Sequence, residues 1–164
     1  MALRLLARFK AAAPGTYPIA YFIASIFMST NITMTPYEAL GGETSVQRLV
    51  HRFYELMDEL PEANTVRQMH PESLADSAQS LFEFLSGWFG GPDLYVAKKG
   101  HPRLRMRHAP YAVGPVVRDE WMLCMTQALT EQVADPIFRD TLINTFAQMA
   151  NHLINSDDSH SCTA

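Results

Sequence analysis

Cysteine is scarce in these 164 residues: the two present, Cys124 and Cys162, form neither a C-x-x-C pair nor a C-x-x-C-H run. That excludes a zinc ribbon and a covalently attached c-type haem, and leaves two free thiols in a reducing compartment as the simplest reading. Long apolar runs are missing too. The run from Ile19 to Met28 is too short, and too closely preceded by Pro14, Gly15 and Pro18, to make a stable membrane span. No alternating apolar stretch is long enough for a strand pair, and there is no internal repeat, Gly-rich phosphate loop, nucleophilic triad or paired-carboxylate motif. Basic charge is not in excess. Thirteen Lys and Arg against 17 Asp and Glu give a formal charge of -4, which argues against a nucleic-acid binder. The locally basic stretch from Lys98 to Arg107 suits one small anion better.

What remains is an ordinary globular composition, 48% hydrophobic and 18% charged, in a chain of one-domain length. Residues 1–33 read differently from the rest, with Arg4, Arg8 and Lys10 as the only charges before Glu38. They are expected to be an upstream start assignment or dispensable extension, with a targeting segment as the second reading. The domain runs from 34 to 155, and residues 156–164 form a polar tail. A very short first helix ends at Gly41-Gly42, and Thr44 with Gln47 makes a capping box for a second. The second helix carries an apolar stripe of Val46, Leu49, Val50, Phe53, Tyr54 and Met57. Leu60-Pro61 breaks it, and His70 before Pro71 is expected at a bend. Ser73 with Asp76 caps a helix carrying Leu74, Leu81, Phe84, Leu85 and Trp88, which ends at Gly90-Gly91-Pro92. A loop through Tyr95 to Gly100 follows. Gly114-Pro115 opens a longer helix with Val117, Trp121, Cys124, Met125 and Ala128 on one side. Asp135 and Pro136 start the last helix, whose stripe is Phe138, Leu142, Phe146, Met149 and Leu153. The class is all-α, with amphipathic helices packed ridge into groove around one core.

One segment, His101 to Trp121, carries a concentration of chemistry. In a helical reading Leu104, His108 and Tyr111 share a face that is apolar apart from the imidazole. Pro110 stops that helix and leaves the Met106 carbonyl without its usual partner. That carbonyl, or the Leu104 carbonyl one turn back, can accept the imidazole Nδ1–H and leave Nε2 pointing outward as a ligand. Lys99, Arg103, Arg105 and Arg107 crowd positive charge around it. Such an imidazole suits an iron porphyrin, whose metal takes an axial nitrogen and whose propionates take guanidinium forks. A lone helical histidine is nonetheless more often structural. His51, His101, His152 and His160 have no metal-site spacing and are read as surface groups.

The run GHPRLRMRHAP (Gly100 to Pro110), followed by RDEWMLCM (Arg118 to Met125), resembles the group II truncated haemoglobins. MTPYEALGG, from Met34, resembles the usual beginning of that family. The resemblance covers about Met34 to Asn155 and implies a truncated globin-like helical sandwich around a haem pocket. It implies non-covalent haem b, with His108 as the proximal iron ligand. By the same resemblance Tyr54, in RFY, and Trp121, in RDEW, face the bound diatomic ligand. A donor aimed at oxygen on ferrous haem is worth roughly 1.5–3 kcal/mol, about ten- to a hundredfold in affinity. High oxygen affinity and slow release are therefore expected. His70 falls at the bend covering the haem, as a third donor or as an iron ligand itself, and Ser77 is a small gate. Leu81 and Tyr111 are expected against the porphyrin, and Arg105 and Arg107 on its propionates, with Lys99, Arg103 and Tyr95 as further candidates. The expected ligands are oxygen, nitric oxide and carbon monoxide, with a reductase as partner, in a cytoplasmic monomer or homodimer. The rival readings are a redox enzyme of the nitric oxide dioxygenase or peroxidase type, a haem-based gas sensor, and a helical interaction domain that has lost haem.

Overall fold

The computed structural model describes residues 34–157. The expectations for residues 1–33 and for most of the polar tail lie outside them. All the regular structure described is helical.

Helix α1 (Pro36–Leu40) is fixed at both ends despite its five residues. Thr35 Oγ1 accepts from the Glu38 N–H at 3.2 Å while Glu38 Oε2 accepts from the Thr35 N–H at 2.9 Å, a reciprocal capping box. Gly41 ends it in the left-handed region at φ 104°, where a Cβ would also stand 2.7 Å from Ser45 Oγ. Helix α2 (Glu43–Glu59) then starts from Gly42, so the capping box expected at Thr44 and Gln47 does not form. Thr44 already lies inside the first turn, because the glycine at φ 74° and ψ -156° makes the bend that an N-cap side chain would otherwise stabilise. The expected stripe of α2 is buried in full, with Leu56 added.

A 3-10 turn (Pro61–Ala63) and helix α3 (Asn64–Gln68) lead to the bend at His70. Helix α4 (Ala75–Trp88) begins one residue after Leu74, with Ser73 Oγ only 3.4 Å from the Ala75 N–H, so the expected Ser73 cap contributes little. Helix α5 (Leu94–Lys99) occupies the stretch expected as a loop. Its single buried side chain, Tyr95, gives no periodic stripe to read, whereas Lys98 and Lys99 in the last turn favour the helix dipole and Gly100 at φ 71° ends it. Helix α6 (Leu104–His108) stops ahead of Pro110. Tyr111 lies beyond it, half exposed, so the shared helical face is limited to Leu104 and His108. Helix α7 (Pro115–Gln132) and helix α8 (Pro136–Leu153) start where the prolines predict, and Asp135 Oδ1 accepts from the Ile137 N–H at 3.0 Å.

Helix α2 packs on α4 and α7, α7 also packs on α3 and α8, and α6 rests on α8. The core is aromatic where these layers meet. Phe146, fully buried, lies 4.9 Å from Trp88 and 5.8 Å from Trp121 between ring centroids, and Phe53 lies 5.1 Å from Trp121. Two polar ties brace the outside. Arg52 of α2 grips Glu131 of α7 with a fork of 2.6 and 3.2 Å. Glu83 of α4, 2% exposed, accepts from Lys98 Nζ of α5 at 2.5 Å and from Gln79 at 2.8 Å.

Candidate functional site: an apolar cavity with two tethered imidazoles

Helix α4 has two apolar faces. Phe82 and Leu85 point into the core, whereas Ser77, Leu81 and Phe84 turn toward a cavity of about 290 Å³. That is close to the lower bound, roughly 300 Å³, of typical ligand pockets. Tyr54 from α2 and Val117 and Trp121 from α7 supply further wall, and Leu104 and His108 from α6 close it with Tyr111. The cavity thus brings together Tyr54, His70, Ser77, Leu81, His108, Tyr111 and Trp121 of the residues singled out in the sequence.

Two imidazoles in this wall are held alike. His108 Nδ1 lies 2.8 Å from the Leu104 carbonyl and His70 Nδ1 lies 2.8 Å from the Val66 carbonyl. A carbonyl only accepts, so Nδ1 carries the proton in both rings and, in the neutral tautomer, Nε2 presents a lone pair. The Leu104 carbonyl is the partner used by His108. The Met106 carbonyl instead accepts from the Ala109 N–H at 3.4 Å. One consequence limits His70: a neutral ring held this way accepts a hydrogen bond or ligates a metal through Nε2, and donates from it only as imidazolium.

Tyr54 is buried to 8% exposure and packs edge-on against Phe53 at 4.9 Å and His70 at 5.8 Å. Burial pushes its hydroxyl well above the ordinary phenol value, partly countered by a hydrogen bond with Ser77. The hydroxyl therefore stays protonated, and a donor, throughout the physiological range. Cys124, on the same helix as Trp121, is a buried free thiol pushed up to about 11 by burial, which leaves it inert as a nucleophile.

The basic residues are arranged differently from the imidazoles. Arg105, Arg107, Lys99, Arg103 and Tyr95 are not among the lining residues. Arg105 Nη1 donates to the His152 carbonyl at 3.1 Å, and Arg107 donates to the Pro102 and Lys99 carbonyls at 3.0 and 3.3 Å. Lys99 and Arg107 both lie over the Tyr95 ring, at 5.3 and 5.5 Å. Arg118 does line the cavity, with its guanidinium bonded to Asp119 at 2.6 Å and to Asn151. Sequence reasoning passed over Arg118, although it stands three residues before Trp121 and so shares its face. It also passed over Val113, Phe84, Met149 and Leu153 as wall residues.

The model for bacterial-like globins matches residues 35–155. Among curated proteins, the group 2 truncated hemoglobin YjbI of Bacillus subtilis is 32% identical over 123 residues, covering 75% of this chain and 90% of the relative. The chain belongs to the group II truncated haemoglobins. Among solved structures, the cold-adapted truncated hemoglobin of the Antarctic marine bacterium Pseudoalteromonas haloplanktis TAC125 is 47% identical with a TM-score of 0.74, covering 75% of this chain and 99% of that one. The truncated oxygen-avid haemoglobin of Bacillus subtilis is 33% identical with a TM-score of 0.67, covering 74% and 100%. The fold of this globin is therefore the all-helical truncated one, and membership of the family implies haem as cofactor. The cavity residues fit such a group: apolar walls for a macrocycle, a pre-oriented imidazole lone pair for its metal, and Arg118 as a cation on the lining. Among the described residues no helix is long and apolar enough to cross a membrane.

Proposed function

We propose that this globin holds haem b non-covalently through His108 and binds oxygen and other diatomic ligands with high affinity. The observation that carries this is the His108 ring itself, its Nδ1 committed to the Leu104 carbonyl and its side chain lining an apolar cavity. When bound, haem supplies a ferrous iron able to hold a diatomic ligand and push negative charge onto it. The chain's own part is to exclude water with Leu81, Phe84, Val117 and Leu104 and to aim donors into the space enclosed. Tyr54 offers an O–H that burial keeps protonated, and Trp121 an indole N–H. Ser77 sits beside Tyr54 as a small residue that leaves access open. His70, with Nδ1 held by the Val66 carbonyl, presents Nε2 as an acceptor or as a second nitrogen for the metal, and Leu81 and Tyr111 would line the porphyrin. Arg105 and Arg107 remain candidates for the propionates, on the condition that they exchange their present carbonyl partners for them.

A cavity with several polar groups around one ligand position suits chemistry on that ligand as well as storage. Oxidation of nitric oxide to nitrate, with oxygen as the oxidant and a reductase restoring the ferrous state, is the second reading, favoured by the clustering of Tyr54, His70, Ser77 and Trp121. The buried free thiol of Cys124 agrees with a cytoplasmic setting. The full chain with hemin, examined in its oxidised, reduced and carbon monoxide-treated forms, should give a Soret band in each. His108→Gly should lose haem unless imidazole is added, and full retention without imidazole would refute the assignment of His108 as the residue that holds it.

A further inference from the structure

Helix α6 is too short to hold its own shape. Five residues close few internal hydrogen bonds, and so short a helix is not stable alone. Arg103 enters it in the left-handed region at φ 42°, and Pro110 follows its end. Its order has to come from elsewhere in the chain, and the structure shows where.

Asn155, just past the end of α8, reaches the segment with both ends of its side-chain amide. Oδ1 accepts from the Val113 N–H at 2.9 Å, and Nδ2 donates to the carbonyls of His108 at 3.1 Å and Tyr111 at 3.0 Å. The amide orientation is unambiguous, since a flip would set an oxygen against two carbonyls and an NH₂ against an N–H. The Asn155 N–H adds a bond to the Val113 carbonyl at 3.0 Å, joined there by the Ser156 N–H at 3.3 Å. Nearby on α8, the His152 carbonyl holds Arg105 at 3.1 Å. A residue in this place could merely cap α8. The cap of α8 is instead made by the Ile154 N–H on the Asn151 carbonyl, while the three Asn155 side-chain bonds above all go to residues 108–113.

We propose that Asn155 is the positioning residue for the proximal histidine: it fixes the His108 backbone while the Leu104 carbonyl fixes the ring, and together they set the bond that Nε2 makes to iron. The inference rests on His108 being the iron ligand. Asn155→Asp is the discriminating change, because it keeps the shape and the acceptor for Val113 but places an anionic oxygen against the two carbonyls. In the full-length haem-loaded protein, this variant should shift the iron–histidine stretching band of the reduced, ligand-free form in resonance Raman spectra. It should also speed haem transfer to an acceptor apoprotein by roughly tenfold. Arg52→Gln, which loosens the α2–α7 brace away from the cavity, should lower thermal stability and leave the band in place. An unshifted band with unchanged haem loss in Asn155→Asp would overturn the proposal, as would an equal shift in Arg52→Gln. Absence of the band in the wild type would overturn the His108 assignment instead, and the proposal with it. If Asn155→Asp does not fold, wild-type hydrogen exchange decides: the Val113 amide should be strongly protected, and free exchange there sinks the idea.

Discussion

Replacing Tyr54 by Phe removes one hydroxyl and leaves a ring of nearly the same shape, so the packing against Phe53 at 4.9 Å and His70 at 5.8 Å survives. Two consequences can then be separated by size. On stability, the loss is the hydrogen bond with Ser77, a neutral pair worth about 0.5–1.5 kcal/mol, offset in part because a buried hydroxyl no longer has to be desolvated. On ligand binding, the proposed function makes the loss that of a donor to a charged acceptor, worth about 1.5–3 kcal/mol, or a ten- to hundredfold faster release of oxygen. The ligand effect should therefore exceed the stability effect clearly. Stopped-flow displacement of oxygen by carbon monoxide measures the first, and a thermal melt of the haem-loaded protein the second. Ser77→Ala should quicken release only slightly, since the Ser77 hydroxyl polarises the Tyr54 O–H without reaching into its place. Trp121→Phe should quicken it through the loss of the indole N–H. Oxygen release unchanged within about twofold in Tyr54→Phe, alongside a lowered melting point, would mean that the hydroxyl serves packing alone.

Two further outcomes follow from the polar ties. The Gln79 and Lys98 hydrogen bonds hold the Glu83 carboxyl below its ordinary value of 4.5, so the stability it lends is fully present above that value and is lost as pH falls through its lower folded value. Acid unfolding followed by circular dichroism should show Glu83→Gln less stable at neutral pH, with a shallower loss below about pH 4.5. Arg67 donates to the Pro71 and Glu72 carbonyls at 3.0 Å each and to Asp58 at 2.7 Å, which fastens the His70 bend to α2. Arg67→Ala should raise hydrogen exchange at residues 68–72 several-fold, with the exchange of α8 unaltered, and equal exchange throughout would show the bend to be held by its own turns.

The long helices were legible because strong punctuation brackets them. Gly114-Pro115 and Asp135-Pro136 open α7 and α8 where expected, and the α2 stripe is buried as its spacing requires. What was misread follows one pattern. A start made by backbone conformation, as at Gly42, leaves no side-chain signature, so the pattern points to Thr44 and Gln47 while the capping box forms at Thr35 and Glu38. Helix α5 buries one side chain out of six and offers no period. In the site, Tyr54, His108 and Trp121 stood out as polar groups on apolar faces, and the cavity gathers all three. Met149 and Leu153 did not, because which part of a helix meets a cavity is decided by how the helices cross, and Val113 did not because it lies in the link between α6 and α7. The charges around His108 were plain in the sequence but their partners were not: Arg105 finds a carbonyl 47 residues away.

The two imidazoles share a mode of construction that differs from the rest of the cavity. Tyr54, Leu81 and Trp121 stand on helices of 14 to 18 residues that carry the aromatic core, so their positions are as rigid as that core. His108 ends one five-residue helix and His70 sits at the bend just past another, and each segment is held by a side chain, Arg67 tying the bend to α2 and Asn155 reaching from beyond α8 to α6. Such ties are polar and partly exposed, each worth far less than the packing of a buried ring, so the two nitrogen-bearing segments are the parts of the wall that yield first. A cavity built this way can adjust the spacing between its nitrogens by shifting α3 or α6 while the donors on α2 and α7 stay where the core puts them. Under the proposed function, that division assigns adaptation to the imidazoles offered to a metal and constancy to the donors offered to its ligand.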